Sequence, residues 1–397
     1  MCGIIGYSGP KEPLPILISG LSRLEYRGYD SAGVALIDGD NLSIEKKEGK
    51  LSVLKEHLEG TSIKGNIGIG HTRWATHGVP SDVNAHPHAD NANEFAIIHN
   101  GIIENYAELK DDLIQDDYSF ISETDTEVVA VELSRKWNGE LLDTVLDVAK
   151  SLDGTYALVV TSTKQPGTIV AGRMMSPLVL GVGEGEVFLA SDSAAILEYT
   201  NKMIFLENGD FVEINDGNFT LYDIEKNVIT RDIQVIDWEV SEAEKAGHDH
   251  FMYKEILEQA EVIERTIAGR IEKNSTEIPI HLDKAKKFEK IWIVACGTAY
   301  HAGLFGKDLF EKVLGVPVSV ELASEFRYRE PIIGKNDLAI VISQSGETMD
   351  TIAATELLKE NGSHVLALVN VVGSSLARMA DSVSVSYTHL RAHETMA

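Results

Sequence analysis

The chain has 397 residues, a length typical of two or three domains. Hydrophobic residues make up 44% and charged residues 24%, which argues against a disordered or fibrous chain. The formal net charge of −27, with no basic stripe, disfavours nucleic acid as a partner, and no membrane partner is expected. No apolar run approaches the roughly 18 residues of a membrane span, and the first residues lack a secretory leader, so we expect a cytoplasmic protein.

Short apolar runs separated by turns dominate the first 235 residues. We predict strands at 4–7, 32–37, 67–70, 95–99, 156–161, 168–171, 177–181, 187–190, 203–206 and 211–214. Helices are predicted from Pro13 to about Leu24 and at about 106–115, 126–137 and 140–151. Helices grouped in blocks between antiparallel strands indicate a layered α+β domain.

The pattern changes after about residue 235. Residues 239–250 are polar and indicate a linker, and a long helix follows at about 251–272. Strands and helices then alternate, which is typical of a doubly wound parallel sheet. The predicted strands are 291–295, 317–320, 337–343, 364–370 and 382–385, and the predicted helices are about 299–314 and 348–361.

Cys2 directly follows the initiator methionine, and the other cysteine is Cys296, so no disulfide framework is expected. Removal of Met1 would leave Cys2 with an α-amino group that titrates at roughly 7.7–8.0 and acts as a base near neutrality. A thiol and a base on one residue form a self-contained nucleophile. The alternative, an inert and frayed terminus, is opposed by the apolar residues 3–6, which predict a buried strand.

Three later segments carry polar groups suited to one substrate. Residues 71–78, HTRWATHG, end a predicted strand and offer a guanidinium for a carboxylate, or a structural ion pair. Residues 99–101, HNG, also end a predicted strand and offer oxyanion donors, or simply a turn. Residues 123–127 begin a helix, where Asp125 suits an ammonium group and Thr124 or Asp125 suits capping.

These segments occur together with MCGIIG, LEYRGYDSAG (24–33), NAHPH (84–88) and SETDTE (122–127). Their order and spacing resemble the glutaminase domain of the N-terminal-nucleophile (Ntn) amidotransferases, and most closely the isomerising glutamine–fructose-6-phosphate aminotransferase family. The resemblance implies a four-layer αββα sandwich in which Cys2 attacks the side-chain amide of glutamine, forming a γ-glutamyl thioester and releasing ammonia.

The same resemblance implies roles for further residues. Asn100 and Gly101 would hold the oxyanion, Arg73 the α-carboxylate of glutamine, and Asp125 its α-amino group. The other implied pocket residues are Trp74, Thr76, His77 and His86. We interpret the neighbouring histidines His71, His88 and His99 as structural.

Two loops in the second half follow predicted strands and open helices. They are residues 296–299, CGTA, and 343–348, SQSGET. Hydroxyls and free helix N–H groups at the carboxyl ends of parallel strands favour an anion. Neither loop contains the GxxxxGK[ST] pattern, so a phosphate monoester is favoured over a nucleoside triphosphate. The alternative is ordinary helix capping by Thr298 and Ser345.

SQSGET after such a strand resembles the sugar isomerase (SIS) domain, and residues 323–330 and 370–378 resemble the aminotransferase family specifically. The resemblance implies that a sugar phosphate is held by Thr298, Ser343, Gln344, Ser345 and Thr348. Ala299 stands where the family often has a hydroxyl residue. Cys296 is interpreted as a loop residue without a nucleophilic role.

The predicted organisation is a glutaminase domain at 2–235, a linker and connecting helix at 236–280, an incomplete first SIS domain at 281–385 and a tail at 386–397 that does not resemble the family. The resemblance implies that a lysine and a histidine that open the sugar ring, and a glutamate that moves the proton, belong to a second SIS domain, which we do not expect within these 397 residues. We therefore expect glutamine hydrolysis and partial sugar-phosphate binding only. His389 and His393 in the tail do not indicate a metal site, because no further ligand is in sight.

No metal or organic cofactor is implied, and the expected partners are glutamine and fructose 6-phosphate, with a homodimer in the full-length family. Two alternatives remain open. One keeps the glutaminase and changes the acceptor, as in amidophosphoribosyltransferase or asparagine synthase, although no pyrophosphate or ATP loop is visible. The other is a phosphosugar-binding regulator with an inert glutaminase fold.

Overall fold

The computed structural model describes residues 2–61, 63–75, 77–236, 251–267, 287–371 and 373–385. The chain divides into two compact units, Met1–Glu244 and Lys245–Ala397. The predicted linker at 239–250 and the tail at 386–397 lie outside the described residues, as does the helix predicted beyond residue 267. Among the helices described, none has both the length and the apolar character needed to cross a bilayer.

Unit 1 contains two antiparallel sheets. Its strands are β1 (Gly3–Ser8), β2 (Ser31–Asp38), β3 (Asn41–Glu48), β4 (Ile67–Arg73), β5 (His88–Ala89), β6 (Phe95–Ile103), β7 (Gly154–Ser162), β8 (Thr168–Met174), β9 (Val179–Val182), β10 (Val187–Ala190), β11 (Lys202–Phe205), β12 (Phe211–Asn215), β13 (Asn218–Tyr222), β14 (Val228–Ile229) and β15 (Gln234–Val235). Within the described residues, one sheet has the order β15-β11-β9-β10-β1-β4-β2-β3 and the other β14-β13-β12-β8-β7-β6-β5.

The helices of unit 1 cover the outer faces of these sheets. They are α1 (Pro13–Leu24), α2 (Leu51–Glu59), α3 (Tyr106–Gln115), α4 (Asp125–Arg135) and α5 (Leu141–Ala149). The central core lies between the sheets and joins Ile4 and Ile69 of the first to Ile98 of the second. A second core packs α1 and α2 on the first sheet, and a third packs α4 and α5 on the second. The predicted four-layer αββα sandwich is therefore confirmed.

Strand β1 occupies the interior of its sheet, which fixes the position of Cys2. It pairs antiparallel with β4, where Gly3 lies opposite Thr72, and with β10, where Ile5 lies opposite Ala190. Every residue of β1 is buried. Because both edges of the strand are paired, the residue that precedes it is held beside the carboxyl end of β4.

Unit 2 contains a parallel sheet formed by β16 (Lys290–Ala295), β17 (Val318–Leu322), β18 (Asp337–Ser343), β19 (His364–Val369) and β20 (Ser382–Val385). Its helices are α6 (Phe251–Ile267), α7 (Gly297–Leu314), α8 (Ala323–Phe326), α9 (Met349–Glu360) and α10 (Ser375–Met379). In the described part of the unit the strand order is β17-β16-β18-β19-β20, and neighbouring strands pair parallel. The doubly wound pattern read from the sequence is confirmed.

The structure corrects one sequence interpretation and adds two elements that were not predicted. Residues 99–101 lie inside β6, not at its end, because β6 stays paired with β7 as far as Ile103. Strand β3 was not predicted, because most of its side chains are polar and it is held at a sheet edge by pairing with β2. Helix α2 was also missed, since only Leu51 and Leu54 of its residues are buried.

Candidate active site

The thiol of Cys2 lies against the backbone of Trp74. The Trp74 N–H donates to Sγ at 3.2 Å, and the thiol in turn faces the Trp74 carbonyl oxygen at 3.5 Å. Burial raises the pKa of the Cys2 thiol, while the Trp74 N–H and the Arg73 guanidinium act in the opposite direction. The site therefore provides both an acceptor for the thiol proton and a donor to the thiolate.

Asn100 is the residue of β6 that reaches Cys2. Its side-chain Nδ2 donates to the Cys2 carbonyl oxygen at 3.1 Å. Its Oδ1 lies 3.0 Å from Nε2 of His71, which is buried on the neighbouring sheet. An amide nitrogen carries two protons, so Nδ2 retains one donor beyond its bond to Cys2.

Gly101 follows Asn100 with a φ of +129°, a conformation that favours glycine. A Cβ added there would lie 2.0 Å from the carbonyl oxygen of Thr155. Any side chain would therefore displace β7 or rotate the peptide beside Asn100. The small residue is required for the backbone to remain at this position.

Arg73 ends β4 and is almost completely buried. Its Nη2 donates to the carbonyl oxygens of His77 and, at 3.3 Å, Gly78. Its Nη1 is buried and has no hydrogen-bond partner among the residues that the structure describes. Burial lowers the pKa of Arg73, and the charges of Cys2 and Asp125 oppose that shift. A buried guanidinium with an unused donor is suited to an anionic ligand group.

Asp125 is the first residue of α4, whose N-cap is Thr124. One carboxylate oxygen accepts from the Ile103 N–H at 2.9 Å, and the other accepts from Thr126 Oγ1 at 3.4 Å. The charges of Asp125 and Arg73 act on one another. The positive charge of Arg73 thus comes from the first sheet, and the negative charge of Asp125 comes from the helix that packs on the second sheet.

The other residues predicted to line the glutamine pocket are Trp74, Thr76, His77 and His86. The indole of Trp74 packs edge-on against Tyr29, with ring centroids 5.5 Å apart. His77 is half-buried and packs edge-on against Tyr106, while its carbonyl accepts from Arg73. Thr76 lies outside the described residues.

A cluster of buried histidine rings lies behind the site. His86 stacks on His71 with centroids 4.2 Å apart and accepts from the His99 N–H at 3.3 Å through Nδ1. Burial lowers the pKa of His71 to about 3 and lowers those of His86, His88 and His99. The rings are therefore neutral near neutral pH. His71, interpreted from sequence as structural, directly contacts Asn100.

Two residues near the site were not singled out from the sequence. Asp30 accepts from the Ala75 N–H at 2.8 Å and donates its own N–H to the Arg73 carbonyl at 3.0 Å. Lys46 donates to three carbonyls of the segment 83–87. Asp30 lies within the LEYRGYDSAG motif, which could have indicated it, whereas Lys46 has no motif signal.

In unit 2, the two predicted phosphate loops leave adjacent parallel strands. Ala295 of β16 lies opposite Ile342 of β18, so both loops begin at the carboxyl ends of neighbouring strands, on the same side of the sheet. Cys296 Sγ also lies 4.0 Å from Thr351 Oγ1 on α9. The N-cap residues of α7 and α9 are Cys296 and Thr348, and neither side chain caps its helix. The alternative of capping by Thr298 and Ser345 was therefore wrong.

The hydroxyls of the second loop hold it in a tight turn. Ser343 Oγ accepts from the Gly346 N–H at 3.0 Å and lies 2.9 Å from Thr348 Oγ1. Ser345 Oγ accepts from the Glu347 N–H at 3.2 Å. Gln344 is half-buried, and its carbonyl accepts from the Asn370 N–H at 3.1 Å. Thr298 is exposed at the start of α7.

Comparison with known families agrees with this division. Residues 55–234 match the glutamine amidotransferase domain family, and residues 284–388 match the SIS domain family. The chain is also 50% identical over 387 residues to the glutamine–fructose-6-phosphate aminotransferase [isomerizing] of Caldanaerobacter subterraneus subsp. tengcongensis, covering 96% of this chain. The corresponding protein of Aquifex aeolicus is 48% identical over 381 residues, again covering 96% of this chain.

Over nearly its whole length the chain is similar in sequence to isomerising glutamine–fructose-6-phosphate aminotransferases. It spans 64% of the length of either relative. A solved structure of glutamine phosphoribosylpyrophosphate amidotransferase from B. subtilis is 19% identical, with a TM-score of 0.52, and the match covers 97% of this chain and 90% of that one. This last similarity supports the fold alone.

Proposed function

We propose that this chain hydrolyses glutamine at Cys2 and that the ammonia serves the conversion of fructose 6-phosphate to glucosamine 6-phosphate. The observation that carries the proposal is the arrangement at Cys2, where Trp74 donates to the sulfur and Asn100 donates to the carbonyl of the same residue. Relatives that are about half identical bear the name of this aminotransferase.

The first chemical step follows from these contacts. The α-amino group of Cys2, once Met1 is removed, takes the thiol proton, and Sγ attacks the side-chain amide carbon of glutamine. The C–S bond forms as the carbonyl π electrons move to oxygen. The free proton of Asn100 Nδ2 and the N–H of Gly101 stabilise this oxyanion. Collapse of the intermediate expels ammonia, which takes a proton from the ammonium group, and leaves a γ-glutamyl thioester.

Water then hydrolyses the thioester. The α-amino group takes a proton from the attacking water, the C–S bond breaks, and glutamate leaves as the thiol is restored. Selection of glutamine is assigned to the buried charges, because Arg73 Nη1 suits the α-carboxylate and Asp125 suits the α-amino group. Trp74, Thr76, His77 and His86 complete the proposed pocket.

The sugar-phosphate half of the proposal rests on the two loops of unit 2. The free N–H groups at the N-termini of α7 and α9 favour a phosphate monoester. Thr298, Ser343, Gln344, Ser345 and Thr348 are proposed to bind it together with the sugar hydroxyls. The glutaminase domain at 2–235, the connection at 236–280, the SIS domain at 281–385, a cytoplasmic location and a homodimer are parts of the same proposal.

Substitution of the two cysteines tests the proposal. Wild-type chain is expected to release glutamate and ammonia from glutamine, and Cys2→Ala to lose at least about 1,000-fold of that rate. Cys296→Ala is the matched control and is expected to retain it. Undiminished glutamine turnover by Cys2→Ala would refute the thiol mechanism. No glucosamine 6-phosphate is expected from this chain alone, and its formation would contradict that part of the proposal.

A further inference from the structure

The ammonium group of Lys46 lies where three backbone carbonyls converge. Nζ donates to the carbonyl of Ala85 at 2.7 Å and to those of Val83 and Pro87 at 3.1 Å each. An ammonium group has three protons, so these bonds use its full donor capacity. Lys46 thereby holds a non-regular segment of backbone from its place on the edge strand β3.

The neighbouring strand is shaped to let this segment approach. Gly33 of β2 lies opposite Lys46 in the sheet. A Cβ at Gly33 would lie 2.3 Å from the carbonyl oxygen of His86 and 2.6 Å from Cβ of Lys46. The segment 83–87 therefore passes directly over a glycine and beside the lysine that binds it.

A continuous set of contacts leads from this segment to the nucleophile. The carbonyls of Ala85 and Pro87 flank His86, whose ring stacks on His71 with centroids 4.2 Å apart. His71 Nε2 lies 3.0 Å from Asn100 Oδ1, and Asn100 Nδ2 donates to Cys2. Displacement of the segment would therefore disturb the orientation of the amide that faces the proposed oxyanion.

We propose that Lys46 is a positioning residue for glutamine hydrolysis, holding the segment 83–87 so that His86 and His71 keep Asn100 in place beside Cys2. This inference rests on the proposed function for its kinetic consequence. Lys46 contacts neither Cys2 nor Asn100 in the described hydrogen bonds, so its effect passes through the intervening residues. The orientation of Asn100 matters most in the transition state, so kcat is the sensitive constant.

The kinetic test compares Lys46→Met, Lys46→Arg and Lys47→Met. Lys46→Met keeps the approximate size but has no donor, and is expected to lower kcat by about 10- to 100-fold, with a smaller rise in KM because His86 also lines the proposed pocket. Lys46→Arg restores donors and charge and should recover most of the rate. Lys47 is the matched control, because it pairs with Asp82 at 2.7 Å in a partly exposed ion pair.

A second readout does not depend on activity. Hydrogen–deuterium exchange is expected to rise at residues 83–88 and 99–101 in Lys46→Met, and to stay at the wild-type level in Lys47→Met. If wild type fails to hydrolyse glutamine, the proposed function is wrong, and the exchange data still decide whether Lys46 holds the segment. An unchanged kcat in Lys46→Met would overturn the positioning role. The role would also be overturned if Lys46→Arg lost as much activity as Lys46→Met and both variants lost thermal stability.

The pH profile supplies a third readout. Burial lowers the pKa of Lys46 to about 8, with the charges of Glu127 and Asp82 raising it and that of Arg73 lowering it. The neutral imidazole of His88 also lies within the influence of Lys46. Above about pH 8 the side chain of Lys46 becomes a neutral amine, which has only two protons for the three carbonyls and turns its lone pair toward one of them. The segment 83–87 is then held less well, so wild-type kcat should fall relative to that of Lys46→Arg. Parallel profiles for the two proteins would count against the proposal.

Discussion

The side-chain amide of Asn100 donates to the carbonyl oxygen of Cys2 at 3.1 Å, although 98 positions separate the two residues in the sequence. This bond crosses from the sheet that contains β6 to the sheet that contains β1. It fixes the main chain of the proposed nucleophile with one proton of an amide group and leaves the second proton for substrate. The two sheets of the sandwich therefore meet at the proposed nucleophile.

Replacing Asn100 with Asp tests whether its side-chain amide takes part in catalysis, because the variant should still fold. The change keeps the shape of the side chain but replaces the donor nitrogen with oxygen and adds a negative charge near the forming oxyanion. We expect kcat for glutamine hydrolysis to fall by about 100- to 1,000-fold with a small change in KM. Asn91→Asp, which changes an exposed amide that contacts Ser119, is the control. Equal rates for wild type and Asn100→Asp would contradict the oxyanion role.

Arg73→Lys tests the assignment of the glutamine α-carboxylate. Lysine keeps the charge but lacks the planar fork, so it cannot both hold the carbonyl of His77 and present the second nitrogen to a ligand. We expect KM for glutamine to rise by about 10-fold or more, and steady-state kinetics will measure it. Arg231→Lys, at a partly exposed pair with Asp210, should leave KM unchanged. An unaltered KM in Arg73→Lys would remove Arg73 from the binding site.

The buried histidines predict a pH dependence of stability. Their folded-state pKa values are lowered, to about 3 for His71, so the unfolded chain binds more protons below about pH 6.5. The free energy of unfolding should therefore fall as pH falls below about 6.5, by up to about 1.4 kcal/mol per pH unit for each ring, and this contribution should be constant above it.

Urea unfolding between about pH 7.5 and about pH 5.5 measures this slope. His88→Gln removes a buried ring that contacts Thr124, and should make the slope shallower by up to one proton. A slope identical to that of wild type would show that His88 does not take up its proton on unfolding.

Gly346→Ala tests the second loop of unit 2. Gly346 has a φ of +66°, and an added Cβ would lie 2.0 Å from Ser374 Oγ. We expect binding of fructose 6-phosphate to weaken at least about tenfold and the unit to lose about 1–3 kcal/mol of stability. Titration calorimetry and thermal unfolding measure the two effects.

Two further variants control for backbone strain. Gly362→Ala also changes a glycine of positive φ, +83°, but its nearest neighbour is Lys335 Cγ at 3.6 Å, so it should keep sugar-phosphate binding. Ser374→Gly should partly restore Gly346→Ala by removing the colliding hydroxyl. Wild-type affinity in Gly346→Ala alone would show that the loop does not form the site.

The sequence predicted the elements whose signals are local. The strand Asp337–Ser343 and the helix Tyr106–Gln115 have the predicted bounds, because apolar runs and helical spacing are properties of neighbouring residues. Strand β3 escaped detection, because its place depends on hydrogen bonds to β2 that no pattern within NLSIEKKE reveals. For β3, hydrogen bonding to a neighbouring strand outweighed an amino-acid composition that does not favour strands.

In the candidate site, too, some residues could be predicted from local sequence and others depend on the tertiary structure. The predicted residues Cys2, Arg73 and Asn100 lie in one region, and their proposed roles remain predictions. Lys46 and the contact of His71 with Asn100 were not foreseen, because both depend on which strands become neighbours and on a segment crossing over Gly33. Residue type and spacing do not report such crossings.

The pairing of β1 on both edges has a consequence for the lifetime of the nucleophile. Chain termini are ordinarily the first parts of a protein to fray, yet Cys2 adjoins a fully buried strand between β4 and β10. Withdrawal of that strand would require the sheet to open, so the backbone amides of β1 should exchange with solvent only when the unit unfolds. Amide exchange in β1, beside the proposed nucleophile, would then report the cooperative unfolding of the whole sandwich.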